Sequence, residues 1–514
     1  MDGSLVHQGA GILVLNQFLL SLFLLIPMVL VARTVVAGTR YSPILIIVIF
    51  GLGMGFIMRE TGVSSPGLSE FPLIDLVARA TIVALIVSFF VGGQELRKIF
   101  GKITLPPDDT VVLNTEETIL GTGRTHLIFV LRSFFLLLGI EALARHLIGA
   151  SIGDLGYTYP LIAYMGLVIA IILIDHKAQI SDKRRYFQMG VVEIMAVIGI
   201  LALSHHCAQW VKPMIALPQI FFAMIIAAGL GACCYRWRYG PTIRALLFAG
   251  LPVVLAANFM IGGSRISEAF TISGMNAVLA YGFFGQMFWM FGGIALLMIL
   301  GKTNHARNLA PGMAGSLSHS GLTGACTAGD MGGIAARRAP IMINVPFFGH
   351  IFVFSILAMS ATQGYLSLWP TLILLACGML LTLWSLKRMA HSYGDDSREV
   401  AALMQFSFGW QITALFGGFL LLHLGGMPLN FAAMAVSSGL SHFGLFAATQ
   451  GGMFGDQAAL LIPFIFSMPF LIHPLVFFLF GKAMERDGHM PYIPVVIIAS
   501  IGFLGILWAA FLTT

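Results

Sequence analysis

Residues 316–333 read "SLSHSGLTGACTAGDMGG", and the fold turns on how this stretch is placed. It is rich in Gly, Ser and Thr, which are weak helix formers, and it carries a His and an Asp. Its flanks, "GGIALLMILG" (292–301) and "PIMINVPFFGHIFVFSILA" (340–358), suit hydrocarbon. Hydrophobic residues make up 58% of the 514, charged residues 10%, and the mean hydropathy is +0.92. A soluble domain carries about 25% charge, so this chain belongs in a membrane. Its apolar runs of roughly 20 residues lack the alternation of a barrel strand. The sequence therefore predicts an all-α polytopic membrane protein.

The runs fall at 9–32, 42–58, 72–96, 126–150, 157–175, 189–211, 216–235, 243–263, 275–301, 340–362, 366–386, 408–428, 457–480 and 491–512, giving about 14 predicted transmembrane helices. Basic residues gather in alternate loops: Arg97/Lys98/Lys102, "DKRRYF", "YRWRYGPTIR", "GKTNHARN", "LKRMAHSYGDDSR" and "GKAMERDG". The positive-inside rule makes these cytoplasmic. It accounts for the net charge of +6 without nucleic acid, and it puts the N-terminus outside a bacterial inner membrane. The first segment lacks a basic n-region and reads as a retained helix. Five Cys without CxxC spacing predict neither a disulfide framework nor a structural metal.

With this threading, 316–333 must enter from the cytoplasm and return there, because Arg337 and Arg338 lie on the same side as Lys302 and Arg307. Irregular backbone at membrane depth survives only when buried in protein or beside a watery cavity. A re-entrant or broken hairpin over 303–337 follows. Shifting the chain by 123 residues lays 318–354 on 441–477 with 15 of 37 positions identical, among them Ser318/Ser441, His319/His442, Gly321/Gly444, Pro340/Pro463 and His350/His473. The second copy, with a hairpin over 431–455, starts from the side poor in Lys and Arg. Two related units of opposite orientation form an inverted repeat, the architecture of secondary transporters. The expected organisation is an N-terminal transmembrane region 1–274, unit A 275–400 and unit B 401–514.

Broken helices expose backbone dipoles that a ligand can use. The substrate or ion is expected against Ser318, His319, Thr323, Thr327 and Asp330 in the first hairpin. Ser441, His442, Thr449, Gln450 and Asp456 would supply the second. Carboxylates at membrane depth are functional candidates, although Asp456 also suits a helix N-cap. The membrane histidines fit three roles: holding freed backbone groups, handling protons, or ligating a metal or haem. Glu193, early in an apolar helix, is a candidate proton carrier, with Asp175 ending the preceding span.

These residues carry a resemblance. Residues 9–211 resemble the first six helices of the monovalent cation:proton antiporter superfamily. The similarity rests on "SPILIIVIFGLGMGF" (42–56), "VSFFVGGQEL" (87–96) and "VVEIMAVIGIL" (191–201). That resemblance implies proton exchange at Glu193. It departs from the family's pattern in having Glu for Asp and "AIILIDHKAQ" where a Ser/Thr-rich break is expected. The C-terminal half is similar to two-hairpin elevator carriers for organic anions.

The expected function is ion-coupled secondary transport, with cation/proton antiport ahead of sodium-coupled organic anion carriage. The coupling ion is H⁺ or Na⁺, and no cofactor or enzymatic activity is expected. The partners are a small ion or small molecule, lipid, and a second copy of the chain as a possible homodimer. No Walker A motif is present. A His-ligated haem or metal redox protein is the rival from another class.

Overall fold

The computed structural model describes residues 43–61, 71–101, 183–212, 217–237 and 250–512, apart from single positions at 328, 393, 395 and 451, with scattered residues in 25–36 and 239–246. Among the described residues all regular elements are helical, and seven helices are long and apolar enough to cross a membrane. The chain is thus an all-α protein compatible with a multi-pass membrane protein. The spans expected at 126–150 and 157–175, and most of 9–32, lie outside the described residues.

The N-terminal elements are α1 (Ile44–Glu60), α2 (Phe71–Phe100), α3 (Lys183–Val211), α4 (Gln219–Cys233) and α5 (Leu251–Gly263). Then follow α6 (Met275–Ile299), α7 (Ala306–Leu317), α8 (Ser320–Thr327), α9 (Gly333–Met342), α10 (Val345–Gln363) and α11 (Leu368–Met389). The last run is α12 (Asp396–Leu424), α13 (Leu429–Gly439), α14 (Phe443–Gln450), α15 (Asp456–Ile465), a 3-10 turn (Met468–Ile472), α16 (His473–Glu485) and α17 (Tyr492–Phe511).

A shift of 123 residues carries the bounds of α8 onto α14 and of α9 onto α15 without remainder, and α7 and α11 onto α13 and α17 within one residue. The correspondence extends outward to α6 and α12, well past the segment where identity is visible. Outside that segment only hydrophobicity has to be kept, so the letters drift while the helices stay. The steps inside the long helices also coincide. Pro346 and Pro469 have no N–H to give, and each sits just after a step, at Ile343–Asn344 and Phe466–Ser467. Arg337 and Arg338 lie inside α9.

Packing crosses between the two runs. The first helix of each lies along the last helix of the other, α6 on α17 and α12 on α11, and each first helix also packs on the other run's broken segment. A second correspondence lies among the N-terminal helices. "FFVGG" (89–93) in α2 and "FMIGG" (259–263) in α5 dock on matched places. Phe89 meets Phe347 at 4.9 Å and Phe259 meets Phe470 at 5.0 Å, edge to face. A Cβ on Gly92 would fall 2.0 Å from the Pro340 carbonyl oxygen, and one on Gly262 would fall 2.6 Å from that of Pro463. Helix backbones approach this closely only where no side chain intervenes, as in small-residue membrane packing.

Candidate functional site

Both broken segments are built the same way. At the break, Ser318 takes φ 49° and Ser441 φ 48°, left-handed values that are uncommon for a residue with a Cβ. The next residue is a His that caps the following short helix. His319 Nδ1 accepts the Leu322 N–H at 2.9 Å and His442 Nδ1 accepts that of Leu445 at 3.3 Å. This is the N-cap function usually served by Ser or Asp. The loops that close the segments turn on Gly329 and Gly332, and on Gly452 and Gly455, all at positive φ.

The opposite ring edge of each capping His reaches the other copy. His319 Nε2 lies 2.8 Å from His473 Nε2, and His442 Nε2 lies 3.3 Å from His350 Nε2. All four imidazoles are buried. Because Nδ1 of His319 accepts a bond, its proton sits on Nε2 and is donated to His473. Glycine makes room for these pairs: a Cβ on Gly321 would fall 2.3 Å from the His473 ring, and one on Gly444 would fall 1.6 Å from His350. At the second junction Gln411 Nε2 stands 2.8 Å from His442 Nε2, and it also donates to the Pro346 carbonyl. The motif Ser-His-x-Gly-Leu is thus one device, used twice, that breaks a helix, restarts it and ties it to the other copy.

Several buried polar atoms at these junctions have no hydrogen-bond partner among the described residues, and they come in matched pairs: Oγ of Ser318 and Ser441, and Nδ1 of His350 and His473. Buried polar groups normally find partners, and functional sites are a common place for exceptions. Thr323 and Thr449 are buried and donate back to the carbonyls of His319 and Leu445. Asp330 is half-buried in the closing turn, whereas Asp456 is exposed at the first position of α15. Thr327 and Gln450 end α8 and α14, and their side chains, like all of Asp175, lie outside what is described. The site therefore gathers around the Ser-His breaks, and Asp456 stands apart at a helix start.

Glu193 is bound elsewhere. Its Oε1 accepts from Gly240 N at 2.6 Å and Trp237 Nε1 at 3.1 Å, and its Oε2 accepts from Thr242 N and Ile243 N, each at 3.1 Å. Four donors saturate the two carboxyl oxygens and tie Trp237, Gly240, Thr242 and Ile243 to α3; Thr242 Oγ1 adds a bond to the Gly190 carbonyl at 2.8 Å. A Glu193→Gln amide would turn N–H donors toward N–H donors. We expect a loss of about 1–3 kcal/mol, read as a lower thermal midpoint in detergent. An unchanged midpoint would contradict this anchoring role.

A third polar centre lies at the base of the first broken segment. Arg338, buried, donates to Asn308 Oδ1, to Asp396 Oδ1 and, at 2.7 Å, to Glu399 Oε2. Asn308 is in the first turn of α7 and Arg338 in the second turn of α9, so residues 306–332 leave and return to one place. The matching residue in the second run is Leu461, so this centre belongs to one copy only.

Comparison with family models, with curated proteins and with solved structures finds no match to this chain. The function is therefore argued from the site. A metal joining both Nε2 atoms of a His pair would have to break the donor–acceptor contact that holds the pair. Among the described residues no three His, Cys, Asp or Glu converge as a ligand set.

Proposed function

We propose that this chain is an ion-coupled secondary carrier with about 14 spans and two re-entrant segments, 303–337 and 431–455, in units 275–400 and 401–514 of opposite orientation. The observation carrying this reading is the placement of helix ends. Arg338, Glu399 and Asn308 bring the starts of α7, α9 and α12 together. Met490 N to Asn304 O and Ala306 N to Gly488 O add the ends of α6 and α16. α6 thus ends where its counterpart α12 begins, so matched helices run in opposite directions. That end carries Lys302, Arg307, Arg337, Arg338, Lys482 and Arg486, which by the positive-inside rule supports reading it as the cytoplasmic one in a bacterial inner membrane.

Opposed broken helices suit alternating access around a central site. The substrate or coupling ion would sit at the two breaks, against the hydroxyls of Ser318 and Ser441 and the carbonyls freed there, with Thr323, Thr449 and Asp330 nearby. Cation/proton exchange remains the leading form, with coupling carried by the breaks rather than by the saturated Glu193. A sodium-coupled organic anion carrier is the second form. Reconstitution in proteoliposomes under Na⁺, K⁺ and proton gradients, with and without small carboxylates, tests the reading. We expect flux driven by one gradient. In the Ser318→Ala/Ser441→Ala variant we expect an apparent affinity weakened about tenfold or more, with an unchanged thermal midpoint. Absence of gradient-driven flux under every condition would overturn it.

A further inference from the structure

At the base of the first broken segment a cavity of about 240 Å³ is lined by Arg307, Arg337, Arg338, Asp396 and Glu399, with Ile99 and Ile334 as its apolar wall. Its charges do not balance. Arg338 takes Oδ1 of Asp396 and Oε2 of Glu399, while the remaining Glu399 oxygen accepts the Gly394 N–H at 3.3 Å. Arg337, half-exposed, reaches only loosely, 3.8 Å to Asp396 and 3.7 Å to Glu95. Arg307 has no carboxylate partner among the described residues, and its Nε is buried without a hydrogen bond; Nε of the buried Arg338 is in the same state. Among the described residues, with Lys98 on Glu95 at 2.7 Å, four cations thus face three carboxylates, and one positive charge is left over inside a partly enclosed, low-dielectric space.

The fold does not need this arrangement. At the equivalent corner of the second run, Arg307, Arg337 and Arg338 are replaced by Asn430, Leu460 and Leu461, and α13 and α15 pack on one another without these arginines. Burial, then His489, then Arg307 hold the pKa of the adjacent His305 below its ordinary value, with Glu399 opposing.

We propose that this cavity binds one small anion, a carboxylate or a phosphate group, held by Arg307 and Arg337 beside the Arg338 ion pair. Guanidinium groups present paired N–H donors that fit both oxyanions in bidentate fashion. A single negative charge makes the cavity neutral, and 240 Å³ admits a group of that size but not a large lipid-like body. The site does not depend on transport, because it is a binding cavity of the resting chain. The chemistry is common to a free anion and to the headgroup of an anionic lipid.

The test uses the purified full-length protein in nanodiscs of zwitterionic lipid, titrated with inorganic phosphate and, separately, with malonate at constant ionic strength. Thermal midpoint and tryptophan emission are the readouts. We expect saturable stabilisation by at least one of the two anions. Arg307→Gln should weaken its apparent affinity at least tenfold, whereas Lys482→Gln, which changes an exposed cation outside the cavity, should leave it unchanged. In nanodiscs containing phosphatidylglycerol, weaker binding of the added anion would identify the lipid headgroup as the occupant, and unaltered binding would identify a free anion; either supports the site. No saturable stabilisation by either anion in zwitterionic nanodiscs, or equal loss in Arg307→Gln and Lys482→Gln, would overturn it, whether or not the protein transports anything.

Discussion

Replacing Gly444 with alanine should lower stability by about 3 kcal/mol, the upper end for an overfilled interior. The new Cβ would lie 1.6 Å from Cε1 of His350. That ring has nowhere to go. Phe347 and Phe354 flank it at 4.8 and 5.3 Å between ring centres, and His442 holds its Nε2. Gly321→Ala should act in the same sense at the matched junction, more weakly, because the clash with His473 is at 2.3 Å. Gly324→Ala is the control. It lies in the same short helix α8 with nothing within 4 Å of its would-be Cβ, so alanine there should be neutral or stabilise by roughly 0.5–1 kcal/mol through helix propensity. Truncating the ring in a His350→Ala/Gly444→Ala double variant should recover part of the loss, since the two changes share one contact. Thermal melting in detergent measures all four. Equal midpoints for Gly444→Ala and Gly324→Ala would mean that the His–His junction is not formed.

The second large effect is expected at Arg338. Arg338→Leu removes the counter-ion of Glu399, which is 3% exposed and keeps only the Gly394 N–H. Stranding a buried charge in this way costs about 3–5 kcal/mol. Shape is not the difficulty, because leucine stands at the matching position 461 of the second run. Asp396 loses the same partner but is half-exposed, so its share is small. Adding Glu399→Leu should restore most of the stability, since a buried pair exchanged for apolar residues is often neutral. A double variant as unstable as the single would show that the arginine stabilises through packing rather than through charge.

The parts of this architecture that could be read from the sequence are those where a residue type does a geometric job. Ser318, His319 and Gly321 recur as Ser441, His442 and Gly444 because the break needs a left-handed residue, a side-chain cap and a site without a Cβ. Their letters could not drift. The flanking helices only had to remain apolar, so their correspondence emerges from coordinates rather than from identity. A shorter signal was present and missed. "FFVGG" and "FMIGG" share spacing 170 residues apart, but five residues do not announce that the first glycine of each pair docks on the carbonyl of a matched proline. Part of the first phrase also carries the antiporter resemblance. Glu193 could be picked out as an acid in an apolar helix. Its four donors come from residues 237–243, some 44 to 50 positions away, and no local pattern encodes such a contact. The surplus charge of Arg307 was likewise hidden, because its neighbours are set by the return of the chain and not by its order.

The central claim is that residues 303–337 and 431–455 each enter and leave at one face of the membrane, and that the two faces are opposite. Single cysteines placed in a cysteine-free background at Asn304, Arg337, Pro428 and Gln457, all at exposed positions, test it directly with a membrane-impermeant thiol reagent applied to oriented vesicles. We expect 304 and 337 to be labelled from one side only, and 428 and 457 only from the other. Labelling of 304 and 337 from opposite sides, or of all four from the same side, would contradict it.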